Sequence, residues 1–206
     1  MQKLAVFGDS NYACIRQAHS QGLADVSGAE IEYWGHVGSR FNFLDFRDGA
    51  IVPKDDFTAQ RFAKFNEKGR TFLPAADFDM IFFMGARIDV TRLMITLLRQ
   101  ADGPFVSTGL KRRMVRDRLS SLMAYRFAKG FAATKTARIV ISPVPFPTLG
   151  YAGLDEVLTP AVRAAGPQAR AELWALIAEE AAADGVTLLP QPEETVVEGI
   201  FSSPDF

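Results

Sequence analysis

Ser10 stands in the tetrapeptide Gly8-Asp9-Ser10-Asn11, between a short apolar run and the start of a helical pattern. Residues 4–7 read as a buried strand that Gly8 ends. Residues 10–21 read as a helix, with Asp9 or Ser10 as N-cap and Gly22 as its stop. A serine on such a strand-to-helix turn presents its hydroxyl to a ligand. The helix beneath it offers backbone N–H groups and a positive field to a developing oxyanion. These are the requirements of acyl transfer through a serine. The same residues also make an ordinary capped turn, and spacing alone leaves both readings open.

The elements that must position Ser10 follow from apolar runs and their stops. A second strand covers residues 31–34 and ends at Gly35. Residues 36–73 are irregular, with a small strand at Ile51-Val52 and a short helix around residues 57–65. The clearest buried strand, residues 78–84, ends at Gly85, and Asp89 or Thr91 caps a helix running to Gln100. Ser107 opens a long helix whose core positions are Leu110, Met114, Leu119, Leu122, Met123, Phe127 and Phe131. A fourth strand at residues 137–142 is halted by Pro143, Pro145 and Pro147. A helix over residues 167–184 stops at Gly185, and a fifth strand at residues 186–189 ends at Pro190.

Strand and helix alternate, and most strands lack period-2 polarity, so the sheet is parallel and covered on both faces. The expected fold class is α/β, a three-layer α/β/α sandwich with a five-stranded parallel sheet in the flavodoxin-like order 2-1-3-4-5. Ligands bind such sheets at the carboxyl ends of the strands where the order reverses, which is beside the first strand and Ser10. No repeat, linker or low-complexity tract divides the chain, so residues 1–206 form a single domain.

Val6-Phe7-Gly8-Asp9-Ser10-Asn11 resembles the first block of the SGNH (GDSL-type) hydrolases, a family of esterases, lipases and deacetylases on this three-layer plan. In element order the likeness spans about the whole chain. In motif it is specific to the first block, which includes Asp9 and Asn11, and to the end of the third strand. The resemblance implies Ser10 as nucleophile. It also implies a glycine after the second strand as a backbone donor to the oxyanion hole, with Gly38 preferred and Gly35 the alternative. Either glycine serves equally well as an ordinary loop turn. The family's third block reads Gly-x-Asn-Asp. Here Gly85 fits, and Arg87 stands in the place of the Asn. A guanidinium carries only donors, so Arg87 can hold an oxyanion or a substrate carboxylate; equally, it can pair on the surface with Asp89 or Asp77.

The family's catalytic histidine lies in an Asp-x-x-His block after the fifth strand, and no Asp-x-x-His occurs here. The expectation is either a domain lacking its C-terminal catalytic block or a degenerate member. A serine without a base is a weak nucleophile. His36, beyond the second strand, is a candidate replacement base or a bystander. His19 lies three turns down the first helix and points away. Cys14 reads as a small buried hydrophobe, and as the single cysteine it forms no intrachain disulfide.

A net charge of −1 gives no sign of a nucleic-acid or membrane-surface protein. Basic residues gather between Lys111 and Arg138, and acids dominate from Asp155 onward. That split reads as a solvated helix face balanced by the acidic region, or as a docking surface. The N-terminal run is too short for a signal peptide and no run approaches the ~18 apolar residues of a membrane span, so a cytoplasmic location is expected. No Gly-x-Gly-x-x-Gly or phosphate-loop pattern follows a strand, so no cofactor is expected, and no metal. The leading reading is hydrolysis of a small-molecule or carbohydrate ester through a Ser10 acyl-enzyme. The alternative is a catalytically inactive, anion- or carbohydrate-binding or interaction domain.

Overall fold

The computed structural model describes residues 1–23, 26–36, 38–99, 106–150 and 158–204. β1 (Gln2–Gly8) leads into α1 (Tyr12–Ser20) and β2 (Ala29–Gly35). A 3-10 helix (Gly38–Phe43) follows, then β3 (Leu44–Arg47), β4 (Ala50–Pro53), α2 (Asp56–Phe65) and β5 (Leu73–Pro74). β6 (Met80–Met84) precedes α3 (Thr91–Leu98), α4 (Thr108–Ser121) and α5 (Met123–Thr134). β7 (Arg138–Ser142), α6 (Pro160–Arg163), α7 (Pro167–Ala183) and β8 (Val186–Leu188) come next, and β9 (Val196–Val197) pairs antiparallel with β10 (Phe201–Ser202).

The parallel sheet has the order β2-β1-β6-β7-β8, which is 2-1-3-4-5 among its own strands, as the apolar runs lead one to expect. Side chains alternate across it. Ala5, Phe7, Trp34, Ile81, Phe83, Ile139 and Ile141 enter the main core together with residues of α2, α3, α4, α5 and α7. Val6, Tyr33, Phe82 and Met84 meet Tyr12 and Ile15 of α1 on the opposite face. Parallel crossovers are right-handed, so the reversal of direction at β1 sends α1 to one face and the later helices to the other. Within the main core Phe7 packs against three other rings, with the centroids of Phe83 at 5.2 Å, Phe41 at 5.5 Å and Phe62 at 6.5 Å.

Four local expectations are corrected. The long helix is two helices. Leu122 is extended (φ −84°, ψ 121°), and the Arg126 guanidinium donates to the carbonyls of Ser120 at 3.4 Å and Ser121 at 3.5 Å at the end of α4. Leu110, in the first turn of α4, is 49% exposed rather than core. Residues 44–74 hold an ordered three-stranded antiparallel sheet, β3-β4-β5, rather than irregular chain. Cys14 is exposed, because α1 buries Tyr12 and half-buries Ile15, which leaves Cys14 on the solvent side. The expected helix end at Gln100 lies outside the described residues.

The basic run meets the acids of α7 and its C-terminal cap, Asp184. Arg112 and Arg116 both pair with Glu180, which is buried, Arg112 also reaches Glu179, and Lys129 Nζ lies 2.7 Å from Asp184. Among the described residues no helix is long and apolar enough to cross a membrane.

Candidate active site

Ser10 is exposed in the turn that joins β1 to α1. Its helix opens later than expected, at Tyr12, and the capping position falls on Asn11, whose side chain makes no cap hydrogen bond. That side chain is engaged elsewhere. Asp9 Oδ1 accepts from the Asn11 backbone N at 3.3 Å and from Asn11 Nδ2 at 3.0 Å, so the two residues flanking Ser10 are tied to each other. This is an Asx-type turn, the local bond that Asp favours over regular structure.

Register brings two further loops to the same end of the sheet. Gly8 lies opposite Gly35 of β2 and Met84 of β6. Gly35 is buried, and a Cβ there would meet the Gly8 carbonyl and sit 2.8 Å from the Tyr12 ring. Close strand packing therefore accounts for Gly35. Gly38, three residues on, is exposed, has φ +62° and opens the 3-10 helix. Of the two glycines named from the sequence, Gly38 is the one in the open loop.

After β6 the chain makes a left-handed turn of three consecutive residues: Gly85 (φ +65°), Ala86 (φ +45°) and Arg87 (φ +58°). For the two residues with a Cβ this conformation costs about 1–2 kcal/mol each. The turn is held by Gly85 N donating to Ser142 O at 2.8 Å and Ile88 N to Gly85 O at 2.7 Å. Its consequence is the direction of Arg87. The guanidinium donates to the carbonyl oxygen of Gly38, lies 3.9 Å from Asp9 Oδ2 and stacks 5.5 Å from the centroid of buried Phe41. Arg87 pairs with neither of the acids that the sequence offers it as surface partners. Asp89 Oδ1 accepts from Thr91 N at 2.8 Å at the start of α3, and Asp77 pairs with Arg70.

The structure thus brings Asp9, Asn11, Gly38 and Arg87 together around the Ser10 turn. The histidines are placed differently. His36 N donates to Gly8 O at 3.3 Å, so its backbone adjoins the site, yet the residue is 2% exposed and its ring packs 6.1 Å from that of Phe65. His19 Nδ1 lies 3.0 Å from Tyr33 Oη on the α1 face. Among the described residues no hydrogen bond joins Ser10 to either ring. No group of three or more His, Cys, Asp or Glu among the described residues is set to hold a metal.

One feature beside the site went unread in the sequence. Arg40 Cζ lies 4.7 Å from the ring centroids of both Phe43 and Phe57, and Arg61 Cζ lies 5.4 Å from that of Phe57. The signal for it was the basic and aromatic interleaving of Arg40-Phe41-Asn42-Phe43.

Fold and site together define a doubly wound, five-stranded parallel α/β domain with an exposed serine at its switch point. No family model and no curated protein matches the chain. Among solved structures, an extracellular lipase from Streptomyces rimosus is similar over 92% of this chain and 80% of its own, with 14% identity and a TM-score of 0.38. At that level the likeness carries no argument, and the fold rests on the strand order itself.

Proposed function

We propose that the protein is an ester hydrolase of SGNH type in which Ser10 is the nucleophile. The observation that carries this reading is the exposed Ser10 turn at the carboxyl end of β1, bracketed by the Gly38 loop and by Arg87. Ser10 Oγ attacks the carbonyl carbon of an acyl ester and gives up its proton to a general base. The tetrahedral oxyanion is held by the backbone N–H groups of Ser10 and Gly38, with Arg87 as a third donor in place of an amide side chain. Collapse expels the alcohol, which takes the proton from the base. Water then releases the acid from Ser10. Within this chain the imidazole nearest the switch point by register is that of His36. To serve as base it must leave its packing against Phe65, and its replacement is therefore part of the test.

A second reading draws on the burial of the His36 ring against Phe65: a non-catalytic domain that holds an anion or a sugar at the Ser10 turn and Arg87. Turnover of p-nitrophenyl acetate by the wild type, Ser10→Ala and His36→Ala separates the two. The hydrolase reading expects turnover that disappears in Ser10→Ala, and a comparable loss in His36→Ala if that ring is the base. Turnover equal in wild type and Ser10→Ala sinks it and leaves the binding domain.

A further inference from the structure

The guanidinium of Arg87 meets the protein on three sides. One face stacks on Phe41, Nη2 donates to the Gly38 carbonyl, and Nε lies 3.9 Å from Asp9 Oδ2. The carboxylate opposite it is anchored. Asp9 Oδ1 accepts from the backbone N of Asn11 at 3.3 Å and from Asn11 Nδ2 at 3.0 Å, and the Asp9 side chain is 16% exposed against 39% for Arg87. Asn11 is itself wedged against Gly85, two residues before Arg87, so acid and base are held in one frame.

Among the described residues Asp9 is the one acid paired with Arg87, and Arg87 the one base paired with Asp9. The next cation of the Gly38 loop, Arg40, faces Asp55 at 3.6 Å. The charges of the two side chains beside the Ser10 turn therefore cancel. A bare guanidinium is a strong ligand for any carboxylate, which is a liability in a site that makes one. When water cleaves an acyl group from Ser10, the acid set free loses its proton to solvent at neutral pH. Its carboxylate then lies against the donors that held the ester carbonyl. A fixed negative charge 3.9 Å from the cation opposes that anion, because like charges at such range repel strongly in a partly buried site.

We propose that Asp9 is the specificity-determining residue of the Ser10 site: its carboxylate offsets Arg87, so that the site takes an uncharged acyl ester and lets the carboxylate product go. The ester and its product rest on the hydrolase reading above; the exclusion of carboxylates does not. The same offset turns away the carboxylate-bearing substrate that a bare Arg87 would select.

The probes are acetate and acetamide, which share a shape and differ by a charge. Each is titrated into the full chain and followed by the backbone amide signals of Ser10 to Tyr12, and each is tested as an inhibitor of p-nitrophenyl acetate turnover. The wild type is expected to bind acetate no more tightly than acetamide. Asp9→Asn keeps an oxygen that accepts from Asn11 and removes the charge. It is expected to bind acetate at least about tenfold more tightly than the wild type, with acetamide unchanged. Adding Arg87→Asn to Asp9→Asn abolishes the gain. Asp117→Asn, which removes the same charge from the exposed surface of α4, leaves acetate binding as it was. Asp9→Ser supplies a second uncharged acceptor, and melting curves confirm that each variant is folded. Tighter binding of acetate than of acetamide by the wild type, no gain in the two Asp9 variants, or a gain that survives the loss of Arg87 overturns the proposal. Ser10-dependent turnover beside any of these results leaves the hydrolase reading intact. The expected acetate pattern without Ser10-dependent turnover supports the exclusion of carboxylates by Asp9 and removes the hydrolase reading.

Discussion

Asn11 occupies the space that a side chain on Gly85 would need: an ideal Cβ on Gly85 would lie 2.8 Å from Asn11 Cβ and 2.9 Å from its Cγ. The loop after β6 and the serine turn after β1 are thereby fitted to each other through one residue with no side chain. The same Asn11 is tied back to Asp9, so the contact reaches both sides of Ser10.

Gly85→Ala tests that fit. The new methyl collides with Asn11, and the position also demands φ +65°, which costs any residue with a Cβ. A loss of about 2–4 kcal/mol is expected by urea denaturation. The Ser10 turn should shift with it, visible as changed amide signals from Asp9 to Tyr12. A loss below about 0.5 kcal/mol with unchanged signals contradicts the tight fit.

Arg87 allows its side chain and its strained backbone to be separated. Arg87→Ala keeps the unfavourable φ of +58° and loses the bond to the Gly38 carbonyl. Asn tolerates left-handed backbone better than Ala and brings back an amide donor. Ester turnover in Arg87→Ala is expected to fall about ten- to a hundredfold, with Arg87→Asn well above it. Equal turnover in the two variants removes Arg87 from the oxyanion site.

Stability at high pH tests Tyr125. Burial, and after it the neighbouring Asp184 carboxylate, pushes its phenol well above the ordinary range; its hydroxyl donates to Asp184 Oδ2 at 3.0 Å. A phenol whose pKa is raised on folding stabilises fully below its unfolded value near 10, and that contribution is lost as pH rises beyond it. Tyr125→Phe is expected to be about 1–2 kcal/mol less stable than wild type at pH 7, with the gap closing above about pH 10. A gap that widens in alkali contradicts the assignment.

Arg170 holds the C-terminal segment to α7. It is 5% exposed, donates to Gly199 O at 2.9 Å and to Ala165 O, and pairs with Glu193. Arg170→Ala leaves carbonyls and a carboxylate without their donor, and about 3–5 kcal/mol of stability is expected to go, measured by urea denaturation. A cost under 1 kcal/mol shows that the segment stands without this anchor.

The sheet was legible in the sequence because each of its strands is an apolar run with a glycine or proline near its end, and five such runs separated by helical stretches permit few arrangements. The break at Leu122 was not, because the 3.6-residue apolar period of α4 continues into α5 without Gly or Pro to mark the kink. The hairpin β3-β4 did carry a signal that went unused. Asp48-Gly49 is a two-residue turn with φ +49° and +74°, the Asp-Gly pair that hairpins with both central residues left-handed prefer. At the site, Ser10, Gly38 and Arg87 were readable as positions, since each follows the end of a neighbouring strand. Which way Arg87 turns was not, because its direction is set by three left-handed residues in a row, two of them of types that avoid that conformation. The burial of His36 behind Gly8 was likewise set by α2, an element distant in sequence from it.

The central claim, that Ser10 is an activated nucleophile, is tested most directly by covalent labelling. The wild type, Ser10→Ala and a heat-unfolded control are treated with a fluorophosphonate and the adduct is mapped by peptide mass spectrometry. The account predicts a single adduct on Ser10 in the folded wild type, absent from Ser10→Ala and from the unfolded chain. A folded wild type that stays unlabelled, or labels equally at other serines, contradicts it.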